Sequence, residues 1–397
     1  MTILAYVKNQ TPARPLLVQS HWSDFDSFGD LVTDTDVGLI AKAQRAFEDV
    51  VLVCGEDSRN ACVHEFAEQA GIKSFAGDDR DVGLRMSACM ESFGWTRAAR
   101  ALAHHFTVDL DSVTRAFELM EREESQYVML PKAFDLRFGC DVFSAEFLDE
   151  ARKVTEAAAP SHKRRLTHTP WAAAELAPER FKLSHFTDVP AWGIERFHEI
   201  RATTNALYPE NSRKASMPLP GYEQALELLS PGVERALDVA CGWGDGTAFL
   251  AKHIASATGA DYDAEQISLN RNDHPAAHFV SGDATDTNLF EPNLFDAIVS
   301  IHSMEHFQDD RAFLRAVSHW LKPGGQFVLE VPLVMDSPFP GIDIPLGEGH
   351  VREYRVAELI DLVGELFQVD LAFGVSRGLY LEVDRARNAV MLALTSK

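Results

Sequence analysis

The sequence is short of cysteine, of basic residues and of long apolar runs, and each shortage excludes a class of protein. Its 397 residues contain five scattered cysteines and no Cys-x-x-Cys pair, which is typical of free thiols in a reducing compartment and not of a disulfide framework. Lys and Arg number 37 against 60 Asp and Glu. The resulting net charge of −23 argues against nucleic acid or an anionic membrane surface as the main partner.

The apolar residues are distributed in short runs. No stretch approaches the roughly 18 uninterrupted apolar residues of a membrane span. The first residues lack a basic start followed by an apolar run, so we expect no signal peptide. Hydrophobic residues still make up 46% of the chain, which is enough for real cores. These features predict an acidic cytoplasmic protein.

Short apolar runs alternate with amphipathic segments along the whole chain, which predicts an α/β architecture of mainly parallel sheets flanked by helices. The length predicts two domains. A stretch of Pro, Asn, Ser and basic residues with little periodicity, ATTNALYPENSRKASMPLPG (202–221), separates them. We therefore predict a first domain at 1–207, a linker at 208–220 and a second domain at 221–397.

The first half has five runs that predict strands: TILAYV, DVVLVC, GIKSFAG, RALAHHF and QYVML. Between them, LIAKAQRAF, ACVHEFAEQA and DSVTRAFELMEREE have the periodicity of amphipathic helices, and Asp111 is the expected N-cap of the last one.

The second half alternates more regularly. It predicts strands at RALDVA, SATGAD, AHFVSGD, FDAIVSIHS, QFVLEVP, FQVDLAFGV and NAVMLALT. Helices are predicted at GDGTAFLAKHI, DAEQISLNR, DRAFLRAVSHWL and VAELIDLVGEL, and a turn at KPGG.

A glycine-rich loop, ALDVACGWGDGTAFLAKHI (236–254), lies between a predicted strand and a predicted helix. A dinucleotide site needs G-x-G-x-x-G, but here the third position falls on Thr247. The spacing is instead D-x-x-x-G-x-G-x-G, beginning at Asp238. That carboxylate would repel a pyrophosphate and would attract a ligand with a cationic end, such as S-adenosylmethionine.

Acidic residues also end the next two strands. Asp261 ends the second strand in ATGADYD, where a carboxylate can accept the two ribose hydroxyls of a nucleoside. The third strand ends in SGDATD, in which Asp283 can accept an adenine amino group and Ala284 can offer its backbone N–H.

This succession of motifs resembles the class I methyltransferases that use S-adenosylmethionine, over about Leu228 to Lys397. The resemblance implies a Rossmann-like, seven-stranded fold. It implies Asp238, Gly242 and Gly244 around the methionine part of the cofactor, Asp261 on the ribose, and Asp283 with Ala284 on the adenine. Tyr262 either stacks on the adenine or is an ordinary surface aromatic, and His302 is expected to line the cofactor pocket.

The catalytic candidates follow the fourth strand and the fifth. His306, in SIHSMEHF, is the candidate general base, with Glu305 orienting it. The alternative is that this pair only caps a helix or holds the pocket. His350 lies in a Pro- and Gly-rich stretch (334–354) that reads either as a substrate loop or as a solvated loop. No spacing of His, Cys and Asp demands a metal, so none is predicted.

The first half has no chemical motif of its own, but three segments carry a resemblance: GDDRDVGLRMSACMESFG, PKAFDLRFGCDVFSAEFLDEARK and RRLTHTPWAAAELAPERFKL. They resemble cytidylyltransferase-like proteins of the spore-coat polysaccharide family, over about Met1 to Leu207. The resemblance implies a nucleotidyltransferase-like (GT-A-like) fold.

Departures from that family predict a degenerate domain. The place of the phosphate-binding loop reads YVKNQTPARPL, without glycine. Asp109 and Asp111 stand near the expected metal-binding position but lack the Asp-x-Pro setting, and Asp135 matches the second acidic position.

The combined expectation is a methyltransferase whose acceptor is a sugar or nucleotide-linked sugar in polysaccharide or glycoconjugate synthesis. The acceptor rests on the fused domain alone. Three alternatives remain: a bifunctional nucleotidyltransferase and methyltransferase, a small-molecule methyltransferase of secondary metabolism, and a non-catalytic scaffold that binds S-adenosylmethionine. The sequence leaves open whether the chain forms a homo-oligomer.

Overall fold

A computed structural model describes residues 13–20, 38–103, 105, 108–130, 140–187, 220–334 and 349–397. These residues fall into two compact units. Unit 1 has its described residues within 13–187, and unit 2 has them within 220–397. Among the described residues, no helix is both long enough and apolar enough to span a membrane.

Unit 1 contains one mixed sheet of seven strands in the order β3-β2-β1-β4-β6-β5-β7. The strands are β1 (Leu16–Gln19), β2 (Val50–Gly55), β3 (Lys73–Gly77), β4 (Arg97–Leu102), β5 (Tyr127–Met129), β6 (Asp141–Ser144) and β7 (Leu183–His185). All neighbouring pairs are parallel except those of β6, which runs antiparallel to both β4 and β5.

Helices flank this sheet. They are α1 (Leu39–Ala46), α2 (Ala61–Ala70), α3 (Val82–Phe93), α4 (Leu110–Glu123), α5 (Ala145–Ala157), α6 (Pro160–His168) and α7 (Ala173–Leu176). Side-chain caps start three of them, because Asp81, Asp109 and Ser144 each accept a hydrogen bond from a backbone N–H of the first turn. Phe117, on the apolar face of α4, belongs to the buried core cluster of unit 1, and α4 packs against β5, β6 and β7.

Unit 2 contains a sheet of eight strands in the order β10-β9-β8-β11-β12-β15-β13-β14. The strands are β8 (Arg235–Val239), β9 (Ser256–Asp261), β10 (His278–Ser281), β11 (Phe295–Ile301), β12 (Leu321–Pro332), β13 (Phe367–Ser376), β14 (Leu379–Leu381) and β15 (Ala389–Ser396). The five strands from β10 to β12 are parallel, and β15 runs antiparallel between β12 and β13. The strand order reverses at β8, where parallel sheets open a crevice beyond the carboxyl ends of their strands.

The α-helices of unit 2 are α8 (Pro220–Leu228), α9 (Asp245–Leu250), α10 (Ala264–Asp273), α11 (Asp310–Trp320) and α12 (Val356–Val363). A 3-10 turn, Met304–His306, follows β11. Phe313 and Trp320 of α11 are fully buried in one core cluster with Phe327 of β12 and Leu237 of β8.

The α/β class with mixed sheets is confirmed, and most of the predicted elements occur. SATGAD and ACVHEFAEQA coincide with β9 and α2. RALAHHF is displaced, because β4 begins three residues earlier at Arg97. TILAYV and residues 208–219 of the predicted linker lie outside the described residues, while Pro220 already begins α8.

Three details differ from the sequence expectation. Asp109, not Asp111, caps α4 and accepts a hydrogen bond from the backbone N–H of Ser112 at 3.0 Å. KPGG is not a separate turn but an irregular part of β12, where the register against β11 shifts. The sheet of unit 2 has eight strands and not seven, since the short β14 forms a hairpin with β13 at its edge.

Candidate active site

The glycine-rich loop leaves β8 at the reversal point of the sheet in unit 2. Three of its residues adopt the left-handed conformation: Ala240 (φ 56°), Gly242 (φ 48°) and Gly244 (φ 80°). Ser303 after β11 donates a hydrogen bond to the carbonyl of Ala240 at 3.3 Å. The ends of two neighbouring parallel strands are thereby connected across the crevice.

Asp238 lies beneath this loop and is almost completely buried. Its carboxylate accepts hydrogen bonds from the Tyr222 hydroxyl at 3.0 Å and from the Thr247 hydroxyl at 2.6 Å. Burial raises the pKa of Asp238 to about 6, although the hydrogen bonds from Thr247 and Tyr222 oppose that rise. The predicted cofactor residue is thus a desolvated carboxylate whose charge depends on pH near neutrality.

The three glycines of the loop have different roles. A side chain built on Gly242 would meet no atom of the described residues within 4 Å, so the volume above it is open within that part of the chain. A side chain on Gly244 would come within 2.9 Å of Phe279 and 3.0 Å of Asn270, and one on Gly246 would collide with the ring of Tyr222. Gly244 and Gly246 therefore permit packing, whereas Gly242 leaves room for a ligand.

Asp261, at the end of β9, is hydrogen-bonded to the glycine-rich loop. Its carboxylate accepts the backbone N–H groups of Gly242 at 2.9 Å and of Asp263 at 3.0 Å. Tyr262, which follows it, is 83% exposed.

The third predicted pair lies after β10. The exposed Asp283 accepts hydrogen bonds from the backbone and hydroxyl of Thr285, both at 2.8 Å, while the methyl group of Ala284 is buried in the core. Asp238, Asp261, Asp283 and Ala284 thus lie at or just after the carboxyl ends of the neighbouring strands β8, β9 and β10.

His302 follows β11 in the left-handed conformation (φ 52°). Its Nε2 atom lies 2.9 Å from Glu330 Oε1, and its Nδ1 atom lies 3.7 Å from Glu305 Oε1. Although burial lowers the pKa of His302, the two neighbouring carboxylates, Glu305 and Glu330, outweigh it and raise the pKa to about 10. Glu330 also accepts a hydrogen bond from the Tyr380 hydroxyl at 2.8 Å.

Glu305, His306 and His350, the three predicted catalytic residues, lie together. The Nε2 atoms of His306 and His350 are each 3.9 Å from Glu305 Oε1. The two imidazole rings meet edge to face with their centroids 5.0 Å apart. Glu305 is 1% exposed, and neither of its carboxylate oxygens has a hydrogen-bond partner among the residues that the structure describes.

The segment that carries His350 is attached to the same turn. The backbone N–H of Val351 donates to the carbonyl of Glu305 at 2.8 Å. Arg352 Nη1 donates to Asp310 at the start of α11, at 2.7 Å, and the buried Tyr354 hydroxyl donates to the same carboxylate at 3.4 Å. Within the stretch 334–354, residues 335–348 lie outside the described residues.

Sequence reasoning did not identify Tyr222 or Glu330 as members of this site. Glu330 had a visible signal, because it is a single acid within the apolar strand QFVLEVP. Tyr222 had none, since it lies on α8, sixteen residues before Asp238, and only the folded chain brings its hydroxyl to that carboxylate.

The predicted polar positions of unit 1 do not form a comparable cluster among the described residues. Asp109 is used as a helix cap, and Asp135 lies outside the described residues. Arg100 forms an ion pair with the buried Asp141 at 3.2 Å and lies 4.1 Å over the ring of Trp171.

Comparison with known proteins identifies a methyltransferase domain in unit 2. Residues 237–329 match the family model of that description. The match begins one residue before Asp238 and ends just before Glu330, so it contains the glycine-rich loop and the Glu305–His306 pair.

Two curated relatives are similar to part of this chain. One, from Mycolicibacterium smegmatis, is named "Probable S-adenosylmethionine-dependent methyltransferase"; it is 30% identical over 36% of this chain and 55% of the relative. A fatty-acid O-methyltransferase of the same organism is 32% identical over 40% of this chain and 54% of the relative. The chain therefore spans about half the length of the curated relatives it matches.

A solved structure, the TehB-like SAM-dependent methyltransferase of Corynebacterium glutamicum, covers 51% of this chain and 97% of its own, with 20% identity and a TM-score of 0.36. The domain match and the relatives confirm the prediction of a methyltransferase domain, with S-adenosyl-L-methionine as the cofactor that such a domain implies.

Proposed function

We propose that the chain is a class I methyltransferase that transfers a methyl group from S-adenosylmethionine to an oxygen atom of a sugar or nucleotide-linked sugar. The observation that carries this proposal is the open volume above Gly242, between the carboxylates that end β8 and β9. It is the place where a parallel α/β sheet binds its ligand.

The residues at this place fit the cofactor. Asp238 supplies a buried negative charge for the cationic methionine part, and Gly242 has no side chain to fill the space above it. Asp261 already accepts two backbone N–H groups, and its oxygens retain lone pairs for ribose hydroxyls. Tyr262, Asp283, Ala284 and His302 complete the proposed cofactor contacts.

The polar cluster beyond β11 has the chemistry to receive a proton from the acceptor. When bound, S-adenosylmethionine supplies a methyl group that its sulfonium activates toward displacement. Since a carbonyl oxygen only accepts, His306 Nδ1–H donates to the carbonyl of Gly349 at 3.0 Å. His306 Nε2, which lies 3.9 Å from Glu305 Oε1, then carries a lone pair and is the proposed proton acceptor.

Two chemical classes compete as acceptor. The sugar is supported by the resemblance of unit 1 to proteins that handle nucleotide-linked sugars. A lipid carboxylate is the second candidate, because the fatty-acid O-methyltransferase is 32% identical to part of this chain. Both acceptors present an oxygen nucleophile, so the same crevice serves either one.

In our proposal, unit 1 is a degenerate nucleotidyltransferase-like domain. The proposed bounds are 1–207 for this domain, 208–220 for the linker and 221–397 for the methyltransferase domain. The mainly parallel sheet of unit 1, with one reversed strand, supports the fold. The use of Asp109 as a helix cap supports the loss of activity, because that carboxylate is already held by Ser112. We place the protein in the cytoplasm, on the strength of its free thiols and acidic surface.

A labelled-methyl assay tests the proposal. The full chain is incubated with S-adenosylmethionine carrying a labelled methyl group and, in parallel, with nucleotide-linked sugars and with free fatty acids. Transfer to a sugar supports the proposal, and transfer to a fatty acid alone replaces the acceptor by the second candidate. Cofactor binding without methyl transfer to a sugar or a fatty acid would favour the non-catalytic scaffold that only binds S-adenosylmethionine. Release of pyrophosphate from CTP in the presence of Mg²⁺ would overturn the proposal that unit 1 has lost nucleotidyltransferase activity.

A further inference from the structure

We propose that Glu305, His306 and His350 bind a divalent transition-metal ion, and that this ion is Zn²⁺. The site lies within unit 2 and consists of one carboxylate and two imidazoles, a donor set that first-row transition metals favour. No spacing along the chain required a metal, because Glu305 and His350 are separated by 45 positions and only the folded chain brings them together.

The distances fit a metal ion after a small contraction. One ligand atom from each of the three residues lies within 4.8 Å of the other two. Both Nε2 atoms lie 3.9 Å from Glu305 Oε1. Metal–ligand bonds of about 2.1 Å at tetrahedral angles place ligand atoms about 3.4 Å apart. The two edges that end at Glu305 therefore need to shorten by about 0.5 Å. The third edge, between the two histidines, is no longer than 4.8 Å and needs to shorten by at most about 1.4 Å.

The hydrogen bonds of the two histidines orient their lone pairs toward one point. His306 Nδ1–H donates to the Gly349 carbonyl at 3.0 Å, and His350 Nδ1–H donates to the Glu353 carboxylate at 2.8 Å. In both rings this leaves Nε2 unprotonated in the neutral state and directed at Glu305. Metal-bound histidines characteristically donate their other N–H to a carbonyl or carboxylate in this way.

Glu305 supplies an independent reason for a cation. Its carboxylate is 1% exposed, and within the described part of the chain both oxygens are buried without a hydrogen-bond partner. Burial of a carboxylate that accepts no hydrogen bond is costly. The nearest basic group, His302, lies 3.7 Å from Glu305 and is closer to Glu330, at 2.9 Å.

The donor atoms and the reaction select the ion. Mg²⁺ and Ca²⁺ prefer sites made of oxygen ligands, whereas imidazole suits Zn²⁺ and its neighbours in the first transition row. Methyl transfer involves no change of oxidation state, so a redox-inert ion is sufficient. The His306 side chain is 47% exposed, which leaves one face of the cluster accessible to a fourth ligand.

The role of the ion rests on the proposed function. A Zn²⁺ ion in this position would hold the acceptor oxygen and lower the pKa of its hydroxyl. In the transfer, the acceptor oxygen forms a bond to the methyl carbon and the carbon–sulfur bond breaks. Sulfur keeps the electron pair as a thioether, and the acceptor proton passes to water. His306 is then a ligand and not the base.

Metal binding is tested directly on the full chain, without a polyhistidine tag. The protein is dialysed against a chelator, returned to buffer and titrated with Zn²⁺ in a calorimeter, and Co²⁺ is used as a spectroscopic substitute. We expect one equivalent of Zn²⁺ and a Co²⁺ absorption spectrum characteristic of nitrogen and oxygen ligands. Failure to bind a stoichiometric equivalent of either ion would overturn the proposal.

Three variants locate the ion. Glu305→Gln and His350→Ala should weaken Zn²⁺ binding by more than about tenfold. Glu353→Gln, which alters the partner of His350, should weaken it by about 10–100-fold. His319→Ala removes an exposed histidine of α11 and is the matched control. S-adenosylmethionine affinity shows that each variant is folded. Equal loss in the control variant, or full affinity in Glu305→Gln, would overturn the assignment.

The failure of this inference and the failure of the proposed function give different results. Stoichiometric Zn²⁺ binding without methyl transfer refutes the proposed function and leaves the metal site. Methyl transfer by protein that binds neither Zn²⁺ nor Co²⁺ refutes the metal site and leaves His306 as the proton acceptor.

Discussion

At the scale of single residues, Gly324 is a matched control for Gly242. Both adopt positive φ angles, 48° and 73°, and a side chain on either would meet no atom within 4 Å. Gly242 lies in the glycine-rich loop, whereas Gly324 lies near the opposite, amino-terminal end of β12. A leucine at either position pays a similar conformational penalty of about 1–2 kcal/mol, but only one of the two faces the proposed cofactor.

Gly242→Leu should therefore lower S-adenosylmethionine affinity by more than about tenfold, because the side chain fills the open volume above the loop. Both variants should lower the melting temperature by similar amounts, but Gly324→Leu should leave the S-adenosylmethionine affinity unchanged. Calorimetric titration and thermal melting of both variants measure the two effects. Equal affinities in the two variants would place the cofactor elsewhere.

Asp238 predicts a pH dependence of cofactor binding. Its pKa is raised from 3.8 to about 6 by burial, so ionisation of this group destabilises the free folded protein as pH rises through about 6. The contribution to stability is complete below about pH 3.8 and is lost above about pH 6. A cationic ligand needs the ionised form, so affinity and this contribution change in opposite directions with pH.

We expect S-adenosylmethionine affinity to fall below about pH 6, and to approach a tenfold loss per pH unit well below the pKa of this one group. Asp238→Asn should bind weakly at neutral pH and should lack this dependence. Titrations at about pH 5, about pH 6 and about pH 7.5 bracket the pKa. Parallel pH profiles of the two proteins would show that Asp238 carries no charge that the ligand uses.

At the scale of elements, aspartate carboxylates accept backbone N–H groups at both the carboxyl and the amino ends of the strands in unit 2. Asp261 accepts two backbone N–H groups where β9 meets the glycine-rich loop. Asp296, at the start of β11, accepts the backbone N–H groups of Glu234 at 3.2 Å and Arg235 at 2.9 Å. The two residues make the same type of contact, but the proposed site lies at the Asp261 end.

Asp261→Ala and Asp296→Ala should both destabilise unit 2, because each leaves two backbone donors without their partner. Only Asp261→Ala should also weaken cofactor binding, by about 1–3 kcal/mol, through loss of the proposed ribose acceptor. Binding constants and melting temperatures, measured in parallel, separate the effects. Unchanged affinity in Asp261→Ala would mean that the ribose contact is made by another residue.

Elements could be predicted from the sequence where one local signal dominates. Buried parallel strands such as β2 and β9 are short apolar runs, and the loop after β8 has its glycines at fixed spacing. The irregular start of β12 could not be predicted, because KPGG has the composition of a turn and its pairing with β11 is tertiary. The same applies to the site, where the contacts of Asp238 with Tyr222 and of Glu305 with His350 join distant segments.

At the scale of the whole molecule, each unit has a core of its own. The main buried cluster of unit 1 consists of residues between Leu16 and Phe186. The clusters of unit 2 consist of residues between Ala225 and Leu394. Every described residue proposed for cofactor binding or catalysis lies in unit 2, so the proposed methyltransferase site is built on the core of unit 2.

A shortened chain of residues 218–397 tests this separation. Because the core of unit 2 is drawn from its own residues, we expect the shortened chain to fold cooperatively and to bind S-adenosylmethionine within about threefold of the full chain, a difference of less than about 1 kcal/mol. Gly242→Leu should lower S-adenosylmethionine affinity by more than about tenfold in both the shortened and the full chain, which controls for nonspecific binding. If the shortened chain binds the cofactor but no longer methylates the acceptor of the full chain, unit 1 contributes to acceptor recognition. If it loses the cofactor by more than about tenfold, or about 1.4 kcal/mol, the methyltransferase site depends on unit 1 and the independence of the two cores is wrong.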